Sequence, residues 1–105
     1  MSRSKYRNVK SVVDGITFDS KAEAKRYMEL KLLERAGEIR QLELQPRYSI
    51  VINGRHICNY HADFRYFTAE QSIVEDVKGV RTPVYRLKKK LVEAVYPGIK
   101  IVEVT

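Results

Sequence analysis

The sequence predicts an α+β (mixed α/β) domain, and three observations carry that expectation. A helix with both ends marked lies between Ser20 and Gly37. Two Asx-Gly pairs sit between short β-prone runs. A second helix, opening at Thr82-Pro83, separates the strand-like segments before it from a last one after it.

The elements follow in order. Ser11 to Val13 and Ile16 to Phe18 flank Asp14-Gly15, the signature of a type I′ hairpin. Ser20-Lys21-Ala22-Glu23 fits the capping box S-x-x-E, helix formers run from Ala22 to Ala36, and Gly37 suits the left-handed position after the last turn, so the helix spans about 21–36. Apolar and polar residues alternate from Ile39 to Leu44 until Gln45-Pro46 breaks the strand. Tyr48 to Ile52 and His56 to Cys58 flank Asn53-Gly54, a second hairpin. Tyr60 to Phe67 reads as one extended segment, turning near Thr68 to Glu70 and returning as Ser72 to Lys78. Tyr60, Ala62, Phe64 and Tyr66 share one side of it and are expected in the core. The second helix runs to about Val95, with Val84, Leu87, Leu91 and Val95 on its apolar face. Pro97-Gly98 stops it, and Ile99 to Val104 forms a final strand. The order is ββ-α-βββββ-α-β in a single domain, residues 1–105.

At 105 residues with 44% hydrophobic and 31% charged side chains, the chain suits one folded domain with a modest core. No apolar run approaches the roughly 20 residues of a membrane span, and the N-terminus carries no apolar signal core, so a cytoplasmic location is expected. The one cysteine, Cys58, excludes an internal disulfide and a Cys-based metal site. A net charge of +7 favours a polyanionic partner, with nucleic acid foremost. The cations concentrate in two stretches: Lys5, Arg7 and Lys10 near the start, and Arg81, Arg86, Lys88, Lys89 and Lys90 before Glu93. The Lys88-Lys89-Lys90 run is read as lacking the i, i+4 acids of a salt-bridged face, which favours phosphate contact.

Candidate chemistry rests on which way four residues point. Residues two apart on a strand share a face, so Asp76 and Lys78 project together while Glu75 and Val77 face the other side, where Glu75 is expected to matter little. A hairpin turn near Thr68 to Glu70 brings Asp63 alongside Asp76. Two carboxylates beside an ammonium suit Mg²⁺ or Mn²⁺, which takes one or two carboxylates and keeps several waters. A strand acid and lysine two apart also occur as a plain solvated ion pair, but the apolar neighbours Ile73, Val74 and Val77 place this pair in a central strand. Glu23, at the third position of the capping box, is explained locally as a cap, yet a carboxylate on the first helical turn also reaches a metal at a sheet edge. His61 shares parity with Asp63 and is at most a neighbour of the site.

With Glu23, Asp63 and Asp76-Val77-Lys78 in place, the sequence resembles the PD-(D/E)XK nuclease superfamily. Lys5-Tyr6-Arg7-Asn8, Asp14 to Lys21, Leu44-Gln45-Pro46, Ala62-Asp63-Phe64 and Val74 to Gly79 look like a phage-associated family placed within it. The resemblance implies a restriction-endonuclease-like core, a central mixed sheet flanked by two helices, and Mg²⁺-dependent cleavage of a DNA phosphodiester. By position it implies that Asp63 and Asp76 bind metal, that Glu23 completes the site, that the Val77 carbonyl is a further ligand, and that Lys78 orients the attacking water. Ala62 stands where the superfamily has proline. The short chain argues for a homodimer or a partner supplying part of the DNA surface. The expected function is therefore a metal-dependent DNA endonuclease, with branched or otherwise structured DNA as a candidate substrate. The alternative is a non-catalytic DNA-binding or recombination accessory module with the same fold.

Overall fold

The computed structural model describes residues 10–105. The first hairpin pairs β1 (Ser11–Val13) with β2 (Ile16–Phe18), and its turn places Asp14 at φ 53° and Gly15 at φ 75°, as a type I′ turn requires. Helix α1 (Lys21–Arg35) starts on Ser20, whose side chain accepts the Glu23 N–H at 3.1 Å. It ends in a Schellman motif: Gly37, at φ 81°, donates to the Glu34 carbonyl at 3.1 Å and Glu38 donates to the Leu33 carbonyl at 2.9 Å. Then follow β3 (Arg40–Leu44), β4 (Arg47–Ile52), β5 (Arg55–His61), β6 (Phe64–Phe67), β7 (Ser72–Val77), helix α2 (Pro83–Val95) and β8 (Lys100–Val104). This is the element order read from the sequence. No described helix is long and apolar enough to cross a membrane.

The central sheet has the strand order β3-β6-β7-β8, antiparallel except for the parallel pair β7–β8, which α2 connects. The strand that carries Asp76 is thus internal, as its apolar run suggested. Each face of the sheet buries its own core. Phe64 and Tyr66 of β6 pack with Ala24, Tyr27 and Leu30 of α1, while Val74 of β7 and Ile101 of β8 pack with Tyr85 and Val92 of α2. The hairpin β4–β5 is a separate two-stranded sheet that adds Tyr48, Ile50 and Tyr60 to the α2 side.

Two expectations change. The segment Tyr60 to Phe67 is not continuous: Tyr60 and His61 end β5, Phe64 to Phe67 form β6, and the interruption falls at Ala62-Asp63. Its aromatic stripe is buried throughout, but Tyr60 and Ala62 join the α2 core while Phe64 and Tyr66 join the α1 core. The interruption faces that at Gln45-Pro46: Gln45 N–H donates to the Asp63 carbonyl at 2.9 Å, and Ala62 N–H to the Pro46 carbonyl at 3.1 Å. Pro46 has no N–H with which to extend a ladder, so both strands break together.

The buried face of α2 also differs. Tyr85 and Val92 are buried and Leu91 and Val95 half-buried, whereas Val84 and Leu87 are 63% and 58% exposed. The helix is turned toward aromatic partners, with Tyr85 6.4 Å from Tyr60 and the flanking Tyr96 5.4 Å from Tyr48 between ring centroids. It also reaches both strands of the second hairpin, since Lys88 Nζ donates to the Asn59 carbonyl at 3.0 Å and the Tyr96 hydroxyl to the Ser49 carbonyl at 2.6 Å.

This rotation makes a stability comparison decisive. Val92→Ala removes two buried carbon groups and leaves a void, so it is expected to cost about 2 kcal/mol. Leu87→Ala, on the exposed side, should stay within about 0.5 kcal/mol of the parent. Urea unfolding of the two variants checks the assignment, and the reverse ranking would restore the face read from periodicity.

Candidate active site

Four segments meet around a cavity of about 570 Å³. The start of α1 supplies Ser20, Ala22 and Glu23, preceded by Asp19; the β5–β6 break supplies Asp63; the end of β7 supplies Val77 and Lys78; and the following loop supplies Gly79, Val80 and Thr82. Thr82 is the N-cap of α2 and accepts the Tyr85 N–H at 3.1 Å. Both helices therefore begin at this cavity, and a helix start carries the positive end of the helix dipole and free N–H groups suited to anionic oxygens.

Asp63 is fixed by its backbone and its side chain together. Its N–H donates to the Glu75 carbonyl at 3.0 Å, its carbonyl accepts from Gln45, and its Oδ2 accepts the Val77 N–H at 2.7 Å. The β6–β7 register pairs Phe64 with Glu75, so one step on Asp63 stands opposite Asp76, as the hairpin reading required. Burial pushes the Asp63 carboxyl above its ordinary value against the Val77 bond and Lys78, which lower it.

Glu23 is 8% exposed on the first turn of α1. Half of the capping box forms. Ser20 accepts the Glu23 N–H, but among the described residues no bond returns from the Ser20 N–H to the Glu23 carboxylate, which instead lies by Asp63. Burial first, then the negative charges of Asp63, Asp19 and Asp76, push its pKa up from 4.5 to about 7, with Lys78 opposing. Asp76 is 1% exposed, and its Oδ2 accepts the Tyr60 hydroxyl. Its Oδ1 lies 3.7 Å from Lys78 Nζ, and burial raises its pKa to about 6 despite that lysine. Lys78 Nζ also sits 4.2 Å from the centre of the Tyr85 ring, and its N–H donates to the Val104 carbonyl at 2.9 Å.

The four residues singled out in the sequence thus converge, with Glu23, Asp63 and Lys78 on the cavity beside Val77, and Asp76 just behind it. Asp19, which also lines the cavity, was not singled out; its place immediately before an N-cap was the available signal. His61 is exposed, because the break at Ala62-Asp63 ends the strand parity it was read to share with Asp63. Parity does hold on β7, where Glu75 faces α1 and Asp76 faces α2. Glu75 is nevertheless 1% exposed and paired with Arg26 of α1, a partner that a buried acid demands and that the strand pattern could not name.

The expected basic surface is reduced. Arg81 Nε lies 2.7 Å from Glu103, Lys88 is committed to Asn59, and Lys89 lies 3.1 Å from Glu93. That last pair is the i, i+4 contact the lysine run was read to lack, since Glu93 falls one turn beyond Lys89. Lys10, Arg86 and Lys90 are exposed and in no ion pair among the described residues. Lys5 and Arg7 lie outside the described residues.

Among the described residues, no three His, Cys, Asp or Glu side chains form a ready-made metal cage. The donors still fit a hard divalent ion of the Mg²⁺ or Mn²⁺ type, which needs only one or two carboxylates beside water and substrate oxygen. Glu23 and Asp63 offer such a pair, and the crowding of both by Asp19, and of Glu23 also by Asp76, is the excess negative charge that a cation relieves. The fold and site together define a small α+β domain with an acidic cavity between two helix starts. Residues 3–105 match the family described as "Protein of unknown function (DUF1064)", and the chain belongs to that family. No curated protein matches the chain.

The raised pKa of Glu23 has a direct consequence for stability. Between 4.5 and about 7 the folded chain holds a proton that the unfolded chain has lost, so stability falls as pH rises through that window and stays lower above it. Asp76, raised to about 6, adds to the same slope. In EDTA, Glu23→Gln is expected to flatten the decline in melting temperature between about pH 5 and pH 8 and to melt above the parent at the upper end. Thermal melts of both proteins across that range check this, and parallel curves contradict the assigned repulsion.

Proposed function

We propose that this cavity is the active site of a metal-dependent endodeoxyribonuclease with the restriction-endonuclease-like core of the PD-(D/E)XK superfamily. The observation that carries the reading is the convergence of Glu23, Asp63 and Asp76 with Lys78 where both helices begin. Carboxylates there suit a cation, and helix starts suit phosphate oxygens, so one small volume answers both halves of a metal-bound phosphodiester.

In this reading Glu23 and Asp63 hold Mg²⁺ or Mn²⁺, Asp76 supports the site through the oxygen not taken by Tyr60, and the Val77 carbonyl is a further candidate ligand. The ion, when bound, supplies a polarised water and a clamp on the phosphate oxygens. Lys78, kept close by Asp76 and the Tyr85 ring, orients the attacking water and offsets charge at the scissile phosphate. The N–H groups of Lys21 and Ala22 at the start of α1, and that of Val84 at the start of α2, where Pro83 has none, donate to its non-bridging oxygens. Lys10, Arg86 and Lys90, with Lys5 and Arg7, contact the flanking backbone. Branched or otherwise structured DNA and a homodimer remain part of the proposal as substrate and assembly.

One observation favours the non-catalytic reading. Asp76 is engaged by Tyr60 and Lys78 and does not line the cavity, as expected of a domain that binds DNA without cutting it. A cleavage assay on linear, nicked, single-stranded and four-way DNA with Mg²⁺, Mn²⁺ or EDTA separates the two. Cleavage is expected with either metal and not with EDTA. Asp63→Ala, Asp76→Ala and Lys78→Met should each lose ~100-fold or more while keeping a native circular dichroism spectrum. DNA retention with no cleavage under any metal would establish the binding module instead.

Binding is tested separately with the Asp63→Ala protein. Its DNA affinity should fall linearly in log–log form with salt, losing about 0.9 of slope for each phosphate contact removed by Arg86→Glu or Lys90→Glu. Lys88→Glu should act through stability, since that ammonium is spent on Asn59. A flat salt response would show the basic excess to be unrelated to DNA.

A further inference from the structure

Glu75 occupies a position where a carboxylate is costly. It is 1% exposed in an internal strand, and three donors hold it: Arg26 Nε on Oε1 at 2.8 Å, Arg26 Nη2 on Oε2 at 2.7 Å, and the Tyr66 hydroxyl on Oε2. Arg26 Nη1 also reaches Glu29 at 3.1 Å. Stability does not demand this arrangement, because apolar residues of similar volume often hold two elements together as well as a buried ion pair does. What a forked guanidinium–carboxylate pair adds is geometry, since two parallel bonds fix distance and orientation together.

The residues fixed in this way are the acids of the cavity. Arg26 lies three positions after Glu23 and so on the same side of α1. Glu75 precedes Asp76 in β7, and its carbonyl accepts the Asp63 N–H at 3.0 Å. Glu75 is therefore joined to Asp76 by a peptide bond, to Asp63 by a backbone hydrogen bond, and through Arg26 to the helix turn that carries Glu23. We infer that Arg26 and Glu75, with Tyr66, are positioning residues that set the spacing of Glu23 from Asp63 and Asp76. The inference rests on the metal-dependent reading above. A slip of α1 by one residue moves Glu23 about 1.5 Å along the helix axis, and Mg²⁺-type ions tolerate little departure from ideal geometry.

The test uses the triple variant Arg26→Met/Glu75→Leu/Tyr66→Phe, which replaces the polar group with an apolar one, and Arg26→Lys, which keeps the charge but loses the fork. Three quantities are measured: melting temperature in EDTA, Mn²⁺ affinity by calorimetry, and kcat and KM for DNA at saturating Mn²⁺. The triple variant is expected to melt at or above the parent, to bind Mn²⁺ at least about tenfold more weakly, and to lose kcat with KM unchanged. Arg26→Lys should weaken Mn²⁺ binding and kcat in the same direction while melting below the parent, because it leaves Glu75 buried without its fork, and it carries the test if the triple variant does not fold. Parental Mn²⁺ affinity and kcat in whichever variant folds would overturn the positioning role and leave a purely structural ion pair. A parent that binds no Mn²⁺ would overturn the metal-dependent reading, and the positioning role with it.

Discussion

Two backbone interruptions, locked to each other, organise this molecule. Gln45-Pro46 ends one strand and begins the next, Ala62-Asp63 does the same across from it, and the bonds between them hold both in place. Gln45 sits at φ 51°, a left-handed conformation that costs a non-glycine residue on the order of 1 kcal/mol or more and persists where its surroundings leave no alternative. On one side of this crossing the strands stay in the central sheet and pack against α1. On the other side they leave as a hairpin and pack against α2. The division into two cores follows from that crossing, and Asp63 lies within it. A residue whose N–H, carbonyl and side chain are all bonded to other strands is a rigid place for a functional carboxylate.

Three buried acids, handled in different ways, show where the fold has invested. Glu75 receives a guanidinium fork and a phenol, so its charge is matched. Asp76 receives a phenol and a lysine at 3.7 Å, and its pKa still rises to about 6. Glu23 rises to about 7, through burial first and its acid neighbours second. Protecting Glu75 while leaving Glu23 and Asp63 crowded, with Lys78 alone among the described cations to offset them, is hard to explain as stabilisation, because a second cation at the cavity would relieve the repulsion. It is readily explained if a bound cation completes the electrostatics, as in the proposed function.

Features demanded by residue type were legible in the sequence. Asp14-Gly15 and Asn53-Gly54 adopt the positive φ values that their turns need, Gly37 closes a Schellman motif, and Thr82-Pro83 opens α2 where a cap followed by proline should. The pairing of Asp63 with Asp76 was legible because a short turn fixes register, and that of Asp76 with Lys78 because strand parity does. What escaped depends on partners distant in sequence. Arg26 and Glu75 are 49 residues apart, and neither local pattern names the other. The break at Ala62-Asp63 follows from Gln45-Pro46 only once the strands are known to be neighbours. The face of α2 was misjudged because an aliphatic stripe was weighed above Tyr85 and Tyr96, whose rings bury more area.

The same helix explains why a basic composition overstates a basic surface. Of the five cations from Arg81 to Lys90, one pairs with β8, one ties α2 to β5 and one pairs within the helix, leaving Arg86 and Lys90 exposed. The committed cations stabilise the position of α2, and with it the N-terminal turn that opens on the cavity. The exposed pair lies on the side of the helix away from the Tyr85–Val92 seam. On the proposed reading α2 divides its charge by location: its start faces the reacting phosphate, its inner lysine holds the hairpin, and its outer side is free for backbone phosphates further along the strand. On that reading one helix serves both its packing and its contact with substrate, so the bonds that seat it on β5 and β8 also set where its outer side meets the strand.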